Sequence, residues 1–301
     1  MDSKDWTGRT DGTDWMLRSL IWFFRWMPPR VLYAVMGLVV PFYMLLRRKS
    51  FLAIYHYYRQ GHGCGRLRAF VNVYRNHYAF GQVILDRFAV YAGRRFSLEI
   101  EGNEYYKRIA DQPGGAVFLS SHTGNFELCG YLLNSVGKHL HALVYAGEAE
   151  AVMENRRRVW AAHNVTMVPV RDDLSHLFAI NAALEEGDAV CMAGDRLLGS
   201  AKSVVCPFLG RPARFPLGPY ALAVQRGVPL VALFVMKESA SRYHVYVQPV
   251  RLTAEEEALP RRQRMEALAR AFAAQMERIV KQYPHQWFNY YDFWNTGSAR
   301  P

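Results

Sequence analysis

The sequence predicts an α/β fold: a mixed, mostly parallel sheet flanked by helices, preceded by an N-terminal hydrophobic helical segment. Three observations predict it. From Ser97 onward, short apolar runs alternate with amphipathic stretches, as expected for strands covered by helices on both faces. The run Val31 to Leu46, VLYAVMGLVVPFYMLL, extends 16 residues without a charge. Hydrophobic residues make up 51% of the 301, enough to fill one large core.

Residues 1–13 are polar and rich in Gly, Asp and Thr, and are expected to form a disordered tail. Their acidic start without a cleavage site is unlike a secretory signal. Residues 14–49 are expected to form membrane-associating helices. Trp15 to Met27 is aromatic and apolar, Pro28-Pro29-Arg30 breaks it, and the uncharged run follows. A bilayer span takes about 20 apolar residues, with roughly 17 as the lower limit. The run falls just short of that and contains Pro41, with Arg47-Arg48-Lys49 behind it. This favours an interface-lying or re-entrant helical pair over a clean span; the other reading is a buried core helix. Residues 50–95 read as basic helix. Tyr55, Tyr58, Phe70, Tyr74 and Tyr78 fall at packing positions, while Arg66, Arg68, Arg75, Arg87, Arg94 and Arg95 offer a solvated face or a dock for an acidic partner.

The alternating region then reads in order. Ser97 to Glu101 is a strand, Asn103 to Ala110 a helix, and Ala116 to Leu119 a buried strand. After a small-residue turn, an apolar helix starts near Asn125. Leu140 to Tyr145 is a strand, Glu148 to His163 a helix, Thr166 to Val170 a strand, Leu174 to Glu186 a helix, and Ala189 to Ala193 a strand. Val204 to Phe208 and Pro212 to Phe215 pair as a hairpin about Gly210-Arg211. Leu217 to Arg226 is a helix, Pro229 to Met236 and Tyr243 to Val250 are strands, and Ala267 to Tyr283 is a closing amphipathic helix.

Charge is unevenly placed. The formal net charge is +11; the first 100 residues hold 15 Lys+Arg against 6 Asp+Glu, and the rest hold 22 against 20. Basic and apolar character therefore coincide in the first third. That combination suits an anionic membrane surface and not nucleic acid, because apolar runs have no role on a phosphate backbone. The four cysteines have no CxxC spacing, and no metal site or cofactor is expected. There is no G-x-S-x-G elbow, P-loop, G-x-G-x-x-G or H-E-x-x-H. This disfavours serine hydrolases of the α/β type, nucleotide binding and zincin chemistry.

His122 and Glu127 remain, at the end of the first buried strand of the alternating region. On one helix, residues five apart diverge by roughly 140°. With His122 ending a strand and Glu127 in the first turn of the next helix, capped by Thr123 or Asn125, they can converge. A histidine at the carboxyl end of a strand is where such folds place chemistry. Neutral imidazole can accept a proton from a substrate hydroxyl, with a carboxylate fixing its tautomer. The bland reading is a satisfied loop histidine. Asp195, in the polar break Gly194-Asp195-Arg196, occupies the same topological place after its own strand. It reads either as part of the site or as a surface turn. Arg156 to Arg158 read mainly as a solvated helix face.

The segment His122 to Glu127, HTGNFE, matches an HX4D/E motif. The chain resembles the lysophospholipid acyltransferase superfamily, and within it the bacterial lipid A late acyltransferases (lauroyl and myristoyl transferases). The resemblance runs from about residue 15 to 295 and includes SSHTGNFE, AGDR at Ala193 to Arg196, CPFLGRPARFPLGPYALA at Cys206 to Ala223, and the closing PHQWFNYYDFW. It implies a glycerolipid-acyltransferase-like domain over residues 50–301. It further implies that His122 acts as general base, with Glu127 orienting the imidazole. Asn125, Arg158, Asp195 and Arg196 would bind substrate. The implied donor is acyl-acyl carrier protein, an acidic partner suited to a basic surface, and the acceptor a lipid hydroxyl. The implied location is the cytoplasmic face of a bacterial inner membrane. Trp160-Ala161-Ala162-His163-Asn164 lacks the glycine of the lipid A enzymes, and NYYDFW differs from their ending. These departures leave the acceptor open between a lipid A precursor and another amphiphile, such as a polyene or aminolipid. A thioesterase using the same base and a non-catalytic membrane scaffold are the rival readings.

Overall fold

The computed structural model describes residues 19, 22–24, 26–128, 138–145, 150–171, 173–197 and 202–294. The predicted tail and part of the Trp15 to Met27 stretch lie outside them. Helix α1 (Pro29–Leu46) starts with proline in its first turn, where the missing N–H costs nothing. It runs unbroken through Pro41 for 18 residues. By length and composition it is the one helix among the described residues able to cross a membrane. Tyr33, Val40 and Met44 turn inward, while Leu38, Phe42 and Leu45, at helical spacing, are exposed. Helix α2 (Arg48–His56) and a π-helical turn (Tyr57–Gly61) lead to the long helix α3 (Arg66–Tyr91), against which α1 packs.

The α/β part follows the predicted alternation: β1 (Ser97–Glu101), α4 (Asn103–Asp111), β2 (Ala116–Ser120), β3 (Leu140–Tyr145), α5 (Glu150–Ala161), β4 (Val165–Val170), α6 (Ser175–Glu185) and β5 (Ala189–Ala193). The hairpin β6 (Ser203–Phe208) and β7 (Arg211–Pro216) comes next. Then come α7 (Gly218–Arg226), β8 (Leu230–Lys237), β9 (Arg242–Pro249), a single turn α8 (Ala254–Glu257) and α9 (Arg261–Gln282). Helix α9 starts at Arg261, six residues before the predicted Ala267, because Pro260 precedes it and sets its entrance. The helix expected from Asn125 is, within the described residues, a 3-10 turn over Phe126–Leu128.

Seven strands form one sheet in the order β1-β9-β8-β2-β5-β3-β4. The run β8, β2, β5, β3, β4 is parallel; β9 is antiparallel to β8 and parallel to β1. This is the mixed, mostly parallel sheet expected. Val117 and Leu119 of β2 face one apolar layer with Phe272 and Tyr220, and Ala116 and Phe118 face the other with Tyr106 and Trp160. Burial on both faces explains why β2 is uniformly apolar before Ser120.

Candidate active site

Strand order places the site. β2 is followed in sequence by β3 but lies beside β5, so its neighbour on one side is β8 and on the other β5. Crevices at the carboxyl ends of strands near such reversals are the usual ligand positions of open α/β sheets. The β2/β5 register pairs Ser120 with Ala193. Two residues further along each strand come His122 and Asp195, so equal offsets in parallel strands bring them side by side.

Asp195 is fully buried and holds His122 twice. Its Oδ2 accepts from the His122 backbone N–H at 2.8 Å, and its Oδ1 lies 2.8 Å from Nδ1. A carboxylate only accepts, so Nδ1 carries the hydrogen and Nε2 is left with its lone pair. Burial pushes the Asp195 carboxyl up, but the His122 imidazole, its hydrogen bonds and the nearby Arg196 outweigh this and hold it below the ordinary carboxylate range. Burial lowers the His122 pKa, and the Arg196 guanidinium lowers it further, against the opposing pull of Asp195. The imidazole is thus neutral at pH 7. Its side chain keeps 20% exposure, so it is open to a substrate.

The expected pairing of His122 with Glu127 is corrected by this geometry. Glu127 is buried with its Oε2 2.6 Å from Arg87 Nε and its Oε1 2.5 Å from Arg156, and Tyr91 donates to Oε2 at 3.3 Å. The local reason is the 3-10 turn, in which successive side chains project about 120° apart. Phe126 packs against the imidazole, with ring centroids 5.7 Å apart, so Glu127 points elsewhere, toward α3 and α5. Arg87, read in sequence as part of a solvated or docking face, is instead an inward ion-pair partner. In the arginine triplet Arg156 is buried and Arg158 exposed, as two positions on one helix, about 200° apart, require. Arg158 therefore sits on the outer face of α5.

The turn between His122 and Glu127 is clamped from two sides. Asn125 N–H donates to the Val235 carbonyl at 2.7 Å, and Gly124 N–H to the Gln286 carbonyl at 2.7 Å. Gly124 has φ +53, and a Cβ there would collide with the Val235 carbonyl oxygen; only glycine fits. The closing segment runs across this turn: Phe288 N–H donates to the His122 carbonyl at 2.8 Å, and Thr123 bridges Trp287. This accounts for the motif-like PHQWF: Gln286 also bonds the backbone of Lys237 in both directions, each at 2.8 Å. Arg196 donates to the Phe288 carbonyl at 3.0 Å and stacks over Tyr291. Asn125 is buried, its Nδ2 3.4 Å from the Tyr243 hydroxyl.

Residues 87–296 match the family described as bacterial lipid A biosynthesis acyltransferase. The chain belongs to that family. The matched stretch runs from Arg87, the partner of Glu127, to just beyond the closing clamp, so it contains the whole cluster described above. Among solved structures, the 1-acyl-sn-glycerophosphate (LPA) acyltransferase PlsC from Thermotoga maritima is similar. It shares 12% identity at a TM-score of 0.38, covering 86% of this chain and 99% of that one. No curated protein matches. Family membership makes the protein a lipid-biosynthetic acyltransferase. Among the described residues no group of His, Cys, Asp or Glu is arranged to hold a metal ion.

Proposed function

We propose that this acyltransferase moves a fatty acyl chain from an acyl carrier protein thioester to a hydroxyl of a membrane lipid acceptor of the lipid A precursor type. The observation that carries the reading is the His122–Asp195 pair at the rim of the sheet, with Nδ1 held by the carboxylate and the imidazole side chain only partly buried. In this reading Nε2 takes the proton of the acceptor hydroxyl as its oxygen attacks the thioester carbonyl. The tetrahedral adduct collapses, the C–S bond breaks, and the imidazolium returns the proton to the departing thiolate. Asp195 orients the ring and stabilises the imidazolium, and Arg196 keeps the resting imidazole neutral. Glu127 acts through the structure, tying α3 and α5 to the turn behind His122, and Asn125 packs that turn against Tyr243.

Attachment to an anionic membrane surface on the cytoplasmic face of the inner membrane follows from the same reading. Helix α1 presents Leu38, Phe42, Leu45 and Leu46 to the outside and is followed by Arg47, Arg48 and Lys49, a pairing suited to acyl chains beneath anionic headgroups. The test is product analysis by mass spectrometry, using full-length protein in lipid vesicles with acyl carrier protein thioester, with and without a lipid A precursor. Acylated acceptor that disappears in His122→Ala supports the proposal. Free fatty acid released at the same rate regardless of acceptor would replace transfer with hydrolysis. Full function in His122→Ala would leave only a scaffold.

A further inference from the structure

A cavity lies beyond the amino ends of the parallel strands, at the start of β8. It is a groove of about 720 Å³, within the range of small-molecule sites. Val228, which lines it, lies two residues before the β8 strand, whose first residue accepts the backbone N–H of Val250, just past the end of β9. His122 lies beyond the other end of the parallel strands. The eight residues of β8 separate the two ends, roughly 23 Å at about 3.3 Å per step. The groove is thus no part of the site above.

Its walls are of two kinds. Val228, Leu252 and Leu268 are apolar, while Arg108 of α4, Arg251 after β9 and Arg264 of α9 bring three guanidinium groups to the same groove. Among the described residues none of the three has an ion-pair partner. Arg264 Nε is shielded from solvent with no hydrogen-bond partner, an arrangement that costs free energy unless something fills it. Arg251 lies over the Tyr105 ring, 5.3 Å from its centroid, a contact with the ring face that uses none of its N–H groups as hydrogen-bond donors. Glu257 also lines the groove, leaving a surplus of two positive charges.

We infer that this groove binds an amphiphilic organic anion, a phosphate monoester or carboxylate carried on a short apolar body. The guanidinium forks suit planar or tetrahedral oxyanions, and the aliphatic walls suit the body attached to them. The inference does not rest on the proposed reaction.

Calorimetric titration of the full-length protein in nanodiscs with hexyl phosphate, hexanoate, hexanol and inorganic phosphate tests it. Saturable binding of hexyl phosphate or hexanoate is expected, at least tenfold tighter than hexanol and inorganic phosphate. Which anion binds better separates a phosphoester ligand from a carboxylate. Arg264→Gln and Arg251→Gln should each weaken binding at least tenfold, and Val228→Trp, which fills the groove and keeps every charge, should abolish it. His122→Ala should leave it unchanged. Arg108→Gln, an exposed change, gives the same readout should Arg264→Gln fail to fold. Binding untouched by the groove variants, binding lost in His122→Ala, equal affinity for hexanol, or no saturable binding of either anion would overturn the inference.

Discussion

Exchanging one acid for its amide separates the two carboxylates that could serve His122. Asp195→Asn keeps shape and volume at a fully buried position. An amide oxygen can still accept the His122 backbone N–H, but the NH2 then faces Nδ1. The ring is forced to the other tautomer, with hydrogen on Nε2, where the proposed base must be bare. General-base assistance is typically worth 10²–10⁴-fold, so kcat/KM should fall by about that factor. The charge also matters. Asp195 is the group that pulls the His122 pKa up against burial and Arg196, so its removal moves the acid limb of the rate profile to still lower pH. In the wild type that limb already lies below 6.5, with activity rising as the imidazole loses its proton.

Glu127→Gln makes a different prediction. It leaves the Arg87 and Arg156 side chains, both largely buried, without their acid, and breaking a buried pair costs about 3–5 kcal/mol. The denaturant midpoint should fall while the acid limb stays in place. Steady-state rates from pH 5 to 8, with urea unfolding of each variant, check both. The pairing of His122 with Asp195 is refuted if Asp195→Asn retains activity within about threefold while Glu127→Gln shifts the acid limb.

Three further outcomes follow from other contacts. Asp86 is fully buried and is paired with Lys237, Tyr33 and Tyr243, joining α1, α3 and the β8/β9 edge; Asp86→Asn strands the Lys237 charge and should cost about 3 kcal/mol or more in urea unfolding. Gly124→Ala must move the Val235 backbone or give up φ +53, so it should destabilise by about 2 kcal/mol and cut turnover, read by thermal unfolding and kcat. Leu38→Lys with Phe42→Lys removes two exposed anchors worth about 1.5–3 kcal/mol each, and vesicle co-sedimentation should fall at least 100-fold.

Much of this protein is local pattern and was legible as such. The alternation of strands and helices, the hairpin at Gly210, the apolar α1 and the position of His122 at a strand end each depend on a few neighbouring residues. Side-chain period and turn chemistry are written into those neighbours. Strand order is a different matter, because it is decided by contacts between residues far apart in sequence. Equal positions after their strands marked His122 and Asp195 as alike, but nothing local says that β5 displaces β3 as the neighbour of β2. That adjacency makes Asp195, 73 residues away, the acid that holds the imidazole. The five-residue spacing to Glu127 suggested the nearer partner. A glycine with positive φ and a 3-10 turn sent that carboxylate instead to Arg87 and Arg156, where helix packing, and not sequence proximity, supplied its countercharges.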